Sequence, residues 1–335
     1  MLSIVIVNYN SARLIIDCIL SIKKETPSIP YEIIVVDNDS ADDSVAQLKQ
    51  TFPEVAIHQM GYNSGFARAN NEGIRMAKGD TVLLLNPDTV TLNKAIENSY
   101  LDFQKDNEYG ACGVQLIEED GKPQISGNYN MPGGINVLLP LPYWGKFLRW
   151  FGYALGSKKP NIPEATAKVD VDWINGAYLM VKKTTLEKAG LLDEDFFLFS
   201  EEIEWCARLK KAGKVCIYGQ YNVIHLQGAV SAVTFDSPDK GYYNLYDKKG
   251  LQLIISTFLR IKKQFGNAWF LFAVLNYLFA IPVSFLGAVF SKLFSQSKMV
   301  AELKTYAGFY KNMWIVLTKY FFKILSGKPY FYKVL

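Results

Sequence analysis

The chain has 335 residues, half of them apolar, which is enough for one large domain or two smaller ones with a sizeable core. Net charge is +4, but Phe258 to Leu335 holds 11 Lys/Arg against one acid, Glu302, leaving 25 bases and 31 acids elsewhere. A mildly acidic body without a nucleic-acid motif excludes nucleic acid as the expected partner, whereas a basic, aromatic-rich tail points to an anionic surface.

The opening MLSIVIVNYN has no basic leader before its apolar run; it reads as a strand, Leu2–Val7, and not as a signal peptide. RLIIDCILSI follows with helical spacing. EIIVVD is a second buried strand, and SADDSVAQLKQTF opens a helix with Ser40 as its N-cap. EVAIHQ is a short third strand. GFARANNEGIRMAKG is helical and closes on Gly79, DTVLLLN is the fourth strand, and TLNKAIENSYLDFQ is the next helix. This alternation predicts an α/β fold, a parallel sheet with helices on both faces. Lys122 to Pro163 contains six of the 13 prolines and reads as a long loop or short helices. A second block follows, with VDVDWINGAYLMVKK strand-like, FFLFSEEIEWCARLKKAG entering a helix, and YNVIHLQG. Cys18, Cys112, Cys206 and Cys216 form no zinc or CxxC spacing, so a reduced, cytosolic setting is expected.

Ligands of such sheets sit beyond the carboxyl ends of the strands. Polar residues cluster at that edge: Asn8-Tyr9-Asn10, Asp37-Asn38-Asp39 and Asn86-Pro87-Asp88. Each alone reads as a turn; together they predict one crevice.

VIVNYNS, EIIVVDNDSAD, NSGFARANNEGIRMAKGD, LLLNPDTV, VDWINGAYLMVKK, DEDFFLFSEEIEWCARLKKAG and VIHLQGAVS come in that order over residues 1–235. Together they resemble the inverting glycosyltransferases of family 2, with a GT-A fold, and especially their bacterial rhamnosyltransferase-like branch. The resemblance implies a Rossmann-like, mostly parallel sheet. It implies transfer of a sugar, rhamnose from dTDP-rhamnose in that branch, from a nucleotide-diphosphate donor to a lipid-linked saccharide or cell-surface glycan acceptor. A divalent metal, Mg²⁺ or Mn²⁺, would neutralise the leaving diphosphate. Its ligands would be Asp88, in a motif where Asn86 replaces one carboxylate, and His225; His58 reads as structural. Imidazole suits Mn²⁺ better than Mg²⁺. Asn8, Tyr9, Asn10 and Asp37 would cradle the donor base and ribose, while Arg68 and Asn71 would reach the diphosphate or hold Asp88. Glu202 takes the position of the catalytic base, with Glu201 the runner-up and Glu where most relatives have Asp. Trp173, Asn175, Gly176 and Glu201 would line the acceptor pocket. An ordinary reading stands beside each role: Glu201 and Glu202 open a helix, where acids are favoured, and Glu204 and Arg208 make an i,i+4 pair.

The sequence divides at residue 237, with 1–236 the transferase domain (nucleotide-sugar half 1–118, acceptor half 119–236) and 237–335 a helical, membrane-associating region. Asn267 to Phe290 carries no charge and meets the ~20-residue length of a membrane span, although Pro282 and Asn276 interrupt it. Lys262, Lys263 and Lys292 flank it on both sides, so charge sets no orientation. Leu303, Tyr306, Ala307, Tyr310, Trp314, Leu317, Phe321 and Ile324 recur at helical spacing, with Lys304, Lys311, Lys319 and Lys323 opposite. That is a basic amphipathic helix suited to an anionic leaflet, here the cytoplasmic face of the cell membrane, or a soluble cap on the catalytic domain. Other readings remain open: a GT-A transferase using a UDP-hexose or galactofuranose donor or making a polyprenyl-phosphate sugar, and an inactive sugar-nucleotide-binding module. A dinucleotide oxidoreductase is disfavoured, because strand one runs into NYNSA without a GxGxxG turn.

Overall fold

A computed structural model describes residues 1–155, 162–226, 234–235, 237, 244–290 and 296–334. The chain forms two compact units. One comprises Met1–Tyr129, Asn161–Phe197 and Glu201–Val230; the other comprises Asn130–Pro160, Leu198–Ser200 and Ser231–Leu335. The Pro-rich stretch from Asn130 thus groups with the C-terminal helices.

The first unit begins with β1 (Leu2–Asn8), α1 (Ala12–Glu25), β2 (Tyr31–Asp37), α2 (Ser44–Thr51), β3 (Ala56–Gln59), α3 (Gly65–Met76) and β4 (Thr81–Leu85). It continues with β5 (Thr89–Thr91), α4 (Ala95–Lys105), β6 (Tyr109–Ile117) and β7 (Gly127–Asn128). The second unit contributes α5 (Trp144–Ala154), after which the first resumes with β8 (Lys168–Asp170), β9 (Trp173–Ile174), β10 (Tyr178–Lys182), α6 (Lys183–Ala189), α7 (Glu201–Ala212) and β11 (Lys214–His225).

Among the described residues the central sheet has nine strands, in the order β3-β2-β1-β4-β10-β6-β11-β5, with β8 on β11. β1, β2 and β4 are the apolar runs of the sequence and are buried on both faces, as central parallel strands require. Ile4, Val5 and Ile6 are fully buried, each contributing roughly 1.5–3 kcal/mol of apolar burial. α1 buries Ile15, Cys18, Ile19 and Ile22, one stripe at helical spacing. Gly73 lets α3 approach β1, since a Cβ there would fall 2.2 Å from Val5 Cγ1.

The first four strands are parallel as expected, and the sheet as a whole is mixed. β10 lies antiparallel between β4 and β6, and β5 and β8 run antiparallel to β11. The apolar pattern of a doubly buried strand carries no sign of its direction, so the sequence could not show this. α2 also starts three residues later than read, with Asp43 at the N-cap position. Ser40 does not cap it; its hydroxyl accepts from Asn8 Nδ2 and from the Asn10 N–H, both at 3.0 Å.

The strands are in step. Asn8 pairs with Asp37, and Ile6 with both Val35 and Leu85, so β1, β2 and β4 end along one line. That register places the three polar strand ends of the sequence side by side.

In the second unit α5 accompanies three longer helices, Lys248–Phe265, Asn267–Phe290 and Gln296–Ile315. Asp247 caps the first by accepting the Gly250 N–H at 2.9 Å. Gly266, at φ +85°, turns the chain so that Phe258 meets Phe270 and Tyr277 of the apolar helix. The amphipathic stripe differs from the one read. Phe309, Met313, Val316 and Ile324 are buried, while Tyr310 and Trp314 are exposed beside Lys304 and Lys311. This segment has apolar residues on two sides, and a π-helical turn at Val316–Tyr320 shifts its phase. Lys292, and residues 227–231 of the VIHLQGAVS motif, lie outside the described residues.

Candidate active site

β4 ends at Leu85 and the chain turns through Asn86-Pro87-Asp88. The Thr89 hydroxyl donates to the Asn86 carbonyl at 2.8 Å, and Cys18 Sγ of α1 supports the turn from 3.5 Å. Burial pushes the Cys18 thiol up to about 12, so it is a neutral prop. β5 then pairs with β11, Thr89 opposite His225, and the Leu226 N–H donates to the Asp88 carbonyl at 2.9 Å. This pairing explains how two residues far apart in sequence meet. His225 Nε2 lies 3.5 Å from Asp88 Oδ1, with both side chains buried.

The contact is not an ion pair. Gln124 Nε2 donates to the His225 carbonyl at 2.8 Å, which fixes the amide with its oxygen toward the ring. Gln124 Oε1 stands 3.0 Å from His225 Nδ1, so Nδ1 carries the proton and Nε2 presents a lone pair to Asp88. Burial lowers the His225 pKa to about 4, which keeps the ring neutral. Burial raises that of Asp88 to about 7, and Asp88 Oδ1 has no hydrogen-bond partner among the described residues. Two lone-pair donors face each other across a gap too long for a hydrogen bond. An oxygen and an imidazole so placed fit a divalent cation, and Gln124 is the outer partner that holds the ligating tautomer. Among the described residues no cluster of three or more His, Cys, Asp or Glu side chains forms a closed metal site. Among the described residues, Asp88 and His225 are the pair that could share such a cation.

The acidic pair approaches this turn through β10. The Asn86 N–H donates to the Ala177 carbonyl at 3.0 Å, so Gly176 sits next to the turn. A Cβ on Gly176 would lie 3.3 Å from the Phe66 ring and 3.6 Å from Glu202 Cβ. Glycine thus keeps the space between Phe66 and Glu202 free of a side chain. Glu201 and Glu202 open α7, where the helix N-terminus favours carboxylates. Phe199 and Ser200, at φ +72° and +67°, hold strained left-handed backbone just before them. The Glu201 carboxyl is fully buried, and its Oε2 has no hydrogen-bond partner among the described residues. Burial first, and the Glu202 charge second, hold it protonated well above the ordinary carboxylate range. A protonated Glu201 cannot accept a proton. Glu204 and Arg208 form the expected i,i+4 pair at 2.7 Å.

On the β1–β2 side, Asn8 is a buried hub. Its Nδ2 faces Asp37 Oδ1 at 2.9 Å, Ser40 Oγ at 3.0 Å and Ser44 Oγ at 2.7 Å, and its Oδ1 accepts from Ser11. Asp37 is only 1 % exposed, and its other oxygen accepts the Ser40 N–H at 3.2 Å. Asn10, at φ +50°, accepts the Ala41 N–H at 2.7 Å. Asn8, Asn10 and Asp37 together shape the two loops, and the half-exposed Tyr9 is the ring they leave at the surface. Asn38 accepts the Ser64 N–H at 2.7 Å and so ties the second loop to the start of α3.

Arg68 and Asn71, read as reaching the diphosphate or holding Asp88, bond to an irregular loop here. Asn71 is fully buried, with both ends of its amide on the Leu192 backbone, at 2.9 and 3.0 Å. Arg68 Nε donates to the Glu194 carbonyl at 2.9 Å. Both side chains face the loop Leu192–Glu194, because an α3 packed on β1 and β2 turns that flank toward it. Asn175 likewise holds its own loop, accepting the Ala177 N–H at 2.9 Å and donating to the Ile125 carbonyl at 3.3 Å. The Trp173 ring is half-buried, and its N–H has no hydrogen-bond partner among the described residues. His58 sits in the edge strand β3, opposite Val36. Sequence reasoning missed Gln124, Phe66 and Glu194. Gln124 lies in no motif, and although Phe66 and Glu194 lie within quoted motifs, only the fold shows what they touch.

A mixed α/β sheet with helices around it and an acidic turn at the end of its fourth strand defines a GT-A-like domain. Residues 3–164 match the family described as Glycosyl transferase family 2. It is 31 % identical over 218 residues to the low-salt glycan biosynthesis hexosyltransferase Agl10 of Haloferax volcanii, covering 63 % of this chain and 62 % of that protein. It is 26 % identical over 204 residues to the N-acetylglucosaminyl-diphospho-decaprenol L-rhamnosyltransferase of Mycobacterium tuberculosis, covering 56 % and 64 %. To the rhamnosyltransferase WbbL of Escherichia coli it is 27 % identical over 194 residues, covering 55 % and 67 %. The chain thus spans just under two thirds of the length of the first two. Its fold is similar to the mannosyltransferase PcManGT of Pyrobaculum calidifontis in complex with GDP-Man and Mn²⁺, with TM-score 0.52 and 16 % identity over 97 % of this chain and 83 % of that one. It is also similar to GalNAc-T7 with UDP, GalNAc and Mn²⁺, with TM-score 0.53 and 15 % identity over 98 % and 58 %.

Proposed function

We propose that the protein is an inverting glycosyltransferase that moves a sugar from a nucleotide-diphosphate donor to a lipid-linked or cell-surface glycan acceptor. The observation that carries this reading is the lone-pair contact of Asp88 and His225 at the end of β4, with Glu202 beside Gly176 on the adjoining strand end. Glu202 removes the proton of the acceptor hydroxyl as its oxygen attacks the anomeric carbon. The bond from that carbon to the diphosphate breaks, the nucleoside diphosphate leaves, and the configuration inverts. Asp88 and His225 would hold a divalent cation, Mn²⁺ or Mg²⁺, which when bound supplies charge neutralisation for the leaving diphosphate. Tyr9 lies against the donor base, over loops set by Asn8, Asn10 and Asp37. Trp173 offers an aromatic face to the acceptor sugar.

Two of the relatives named above are rhamnosyltransferases, which favours dTDP-rhamnose as donor. The hexosyltransferase relative supports a hexose donor as the second reading. Catalysis belongs to residues 1–236. The basic, apolar region 237–335 would attach the protein to the cytoplasmic face of the cell membrane, where lipid-linked acceptors are met.

The test is release of nucleoside diphosphate from a panel of donors, dTDP-rhamnose and UDP-hexoses, with Mn²⁺, with Mg²⁺ and after chelation. Turnover of one donor, dependent on metal and on Glu202, is the expected result. Donor binding without turnover would leave an inactive sugar-nucleotide-binding module, and absence of both would overturn the reading.

A further inference from the structure

The second unit has an unusual surface. The apolar helix Asn267–Phe290 buries one stripe, Phe270, Ala273, Tyr277, Ala280, Ser284 and Ala288, and exposes large apolar side chains on the other side. Leu275 is 64 % and Phe290 63 % exposed. α5 continues this surface. Trp144 Nε1 donates to Asn276 Oδ1 at 3.1 Å, and its ring meets Phe279 edge-on at 4.8 Å. From Trp144 the rings run on through Phe147, 5.3 Å away, to Trp150 and Phe151. Trp150 is 66 % exposed. Gly287 makes the junction close, since a Cβ there would fall 2.4 Å from the Tyr143 ring. Exposed aromatic patches of this extent on one unit mark an interaction face.

Charge names the partner. This unit carries 18 Lys/Arg against 4 Asp/Glu, whereas the other carries 18 against 28. α5 itself exposes Lys146 and Arg149 among its rings. Glu302 accepts a hydrogen bond from the Tyr143 hydroxyl, so the one carboxylate after Asp247 is already engaged. Aromatic rings interspersed with cations suit the headgroup level of an anionic bilayer.

We propose that the second unit docks in the plane of an anionic bilayer through this joint face, α5 together with the outer side of Asn267–Phe290, and that no helix crosses. This rests on the membrane attachment proposed above and says how it is made. Side-chain packing decides against a span. The buried stripe is covered by Lys248–Phe265, which carries Lys249, Arg260, Lys262 and Lys263, and by Gln296–Ile315, which carries Lys304 and Lys311. A crossing helix would draw these charges into hydrocarbon, which is strongly unfavourable. Lying in the interface, the helix immerses only its outer side.

The experiment uses the full chain and vesicles of phosphatidylcholine with or without phosphatidylserine. Cosedimentation with the anionic vesicles is expected, with a loss of at least about tenfold in W150E/F151E, whose side chains are exposed and whose fold is checked by circular dichroism. Nitroxides placed at Leu275, Phe279, Leu286 and Phe290, one per variant, then report depth. One shallow depth for all four, within about 5–10 Å, is expected. A profile deepest at mid-helix means a span and overturns the in-plane mode while leaving membrane attachment intact. Unchanged binding of W150E/F151E removes α5 and overturns the joint face. No binding to either vesicle overturns the membrane attachment itself.

Discussion

His225 Nε2 faces Asp88 Oδ1 at 3.5 Å with a lone pair and not a proton, because Gln124 holds the proton on Nδ1. Once Asp88 is ionised, two acceptors so placed repel in the absence of a cation. Asp88→Asn should remove most of the metal-dependent activity, since it removes the one charged ligand of the pair. His225→Ala should raise the metal concentration required, more for Mn²⁺ than for Mg²⁺. Gln124→Ala should weaken Mn²⁺ binding by about 10–100-fold, the usual effect of losing an outer partner of a ligating imidazole. Electron spin resonance of free Mn²⁺ reads all three directly, and unchanged Mn²⁺ affinity in Asp88→Asn would remove the site.

Glu202→Gln should keep donor affinity and lose turnover by about 10²–10⁴-fold, the range for removing a general base. Glu201→Gln should do less, because Glu201 already holds its proton. Calorimetry with donor and single-turnover kinetics separate the two effects. Turnover of Glu202→Gln within a few-fold of the parent would reassign the base.

The same pair links stability to pH. The Glu201 pKa is raised in the folded state, so the folded protein binds more protons than the unfolded chain above pH ~4.5. The stability is fully present below that pH and is lost as pH rises toward the folded value. Glu201→Gln should therefore raise Tm more at pH 8 than at pH 5. Equal shifts at both values would mean that Glu201 is charged in the native protein.

The order of β1, α1, β2, α2, β3, α3 and β4 was legible because period and punctuation carry it: apolar runs of strand length, helical stripes and polar strand ends. The candidate residues Asp88, His225, Glu201 and Glu202 were legible because they lie in spaced motifs. The direction of β10 was not, since a doubly buried strand looks alike in both directions. Nor was the work of Asn71 and Arg68, whose partners sit more than a hundred residues away on an irregular loop. The tail misled for a related reason. Gln296–Ile315 is apolar on two sides, and only contact with Tyr277 and its neighbours selects the buried one.

Asn8 offers the sharpest separation of support from contact. Its amide is fully buried and joins Asp37, Ser40, Ser44 and Ser11. Asn8→Ala leaves those groups short of a partner, at roughly 1–3 kcal/mol for each buried group left unsatisfied. It should lower the urea midpoint and, through the displaced Asp37 loop, weaken binding of free nucleoside diphosphate. Asp37→Ala should weaken the same binding, because it removes the carboxylate that fixes Ser40 and hence the loop under Tyr9. Tyr9→Ala is the contrast. The ring is half-exposed and has no buried polar atom to strand, so nucleotide affinity should fall while the urea midpoint stays within about 0.5 kcal/mol of the parent, as for other surface changes. Measuring both quantities in all three variants decides the matter. If Asn8→Ala unfolds at the parental midpoint, the hub carries no stability. If Tyr9→Ala binds nucleotide as the parent does, the ring lies outside the donor site.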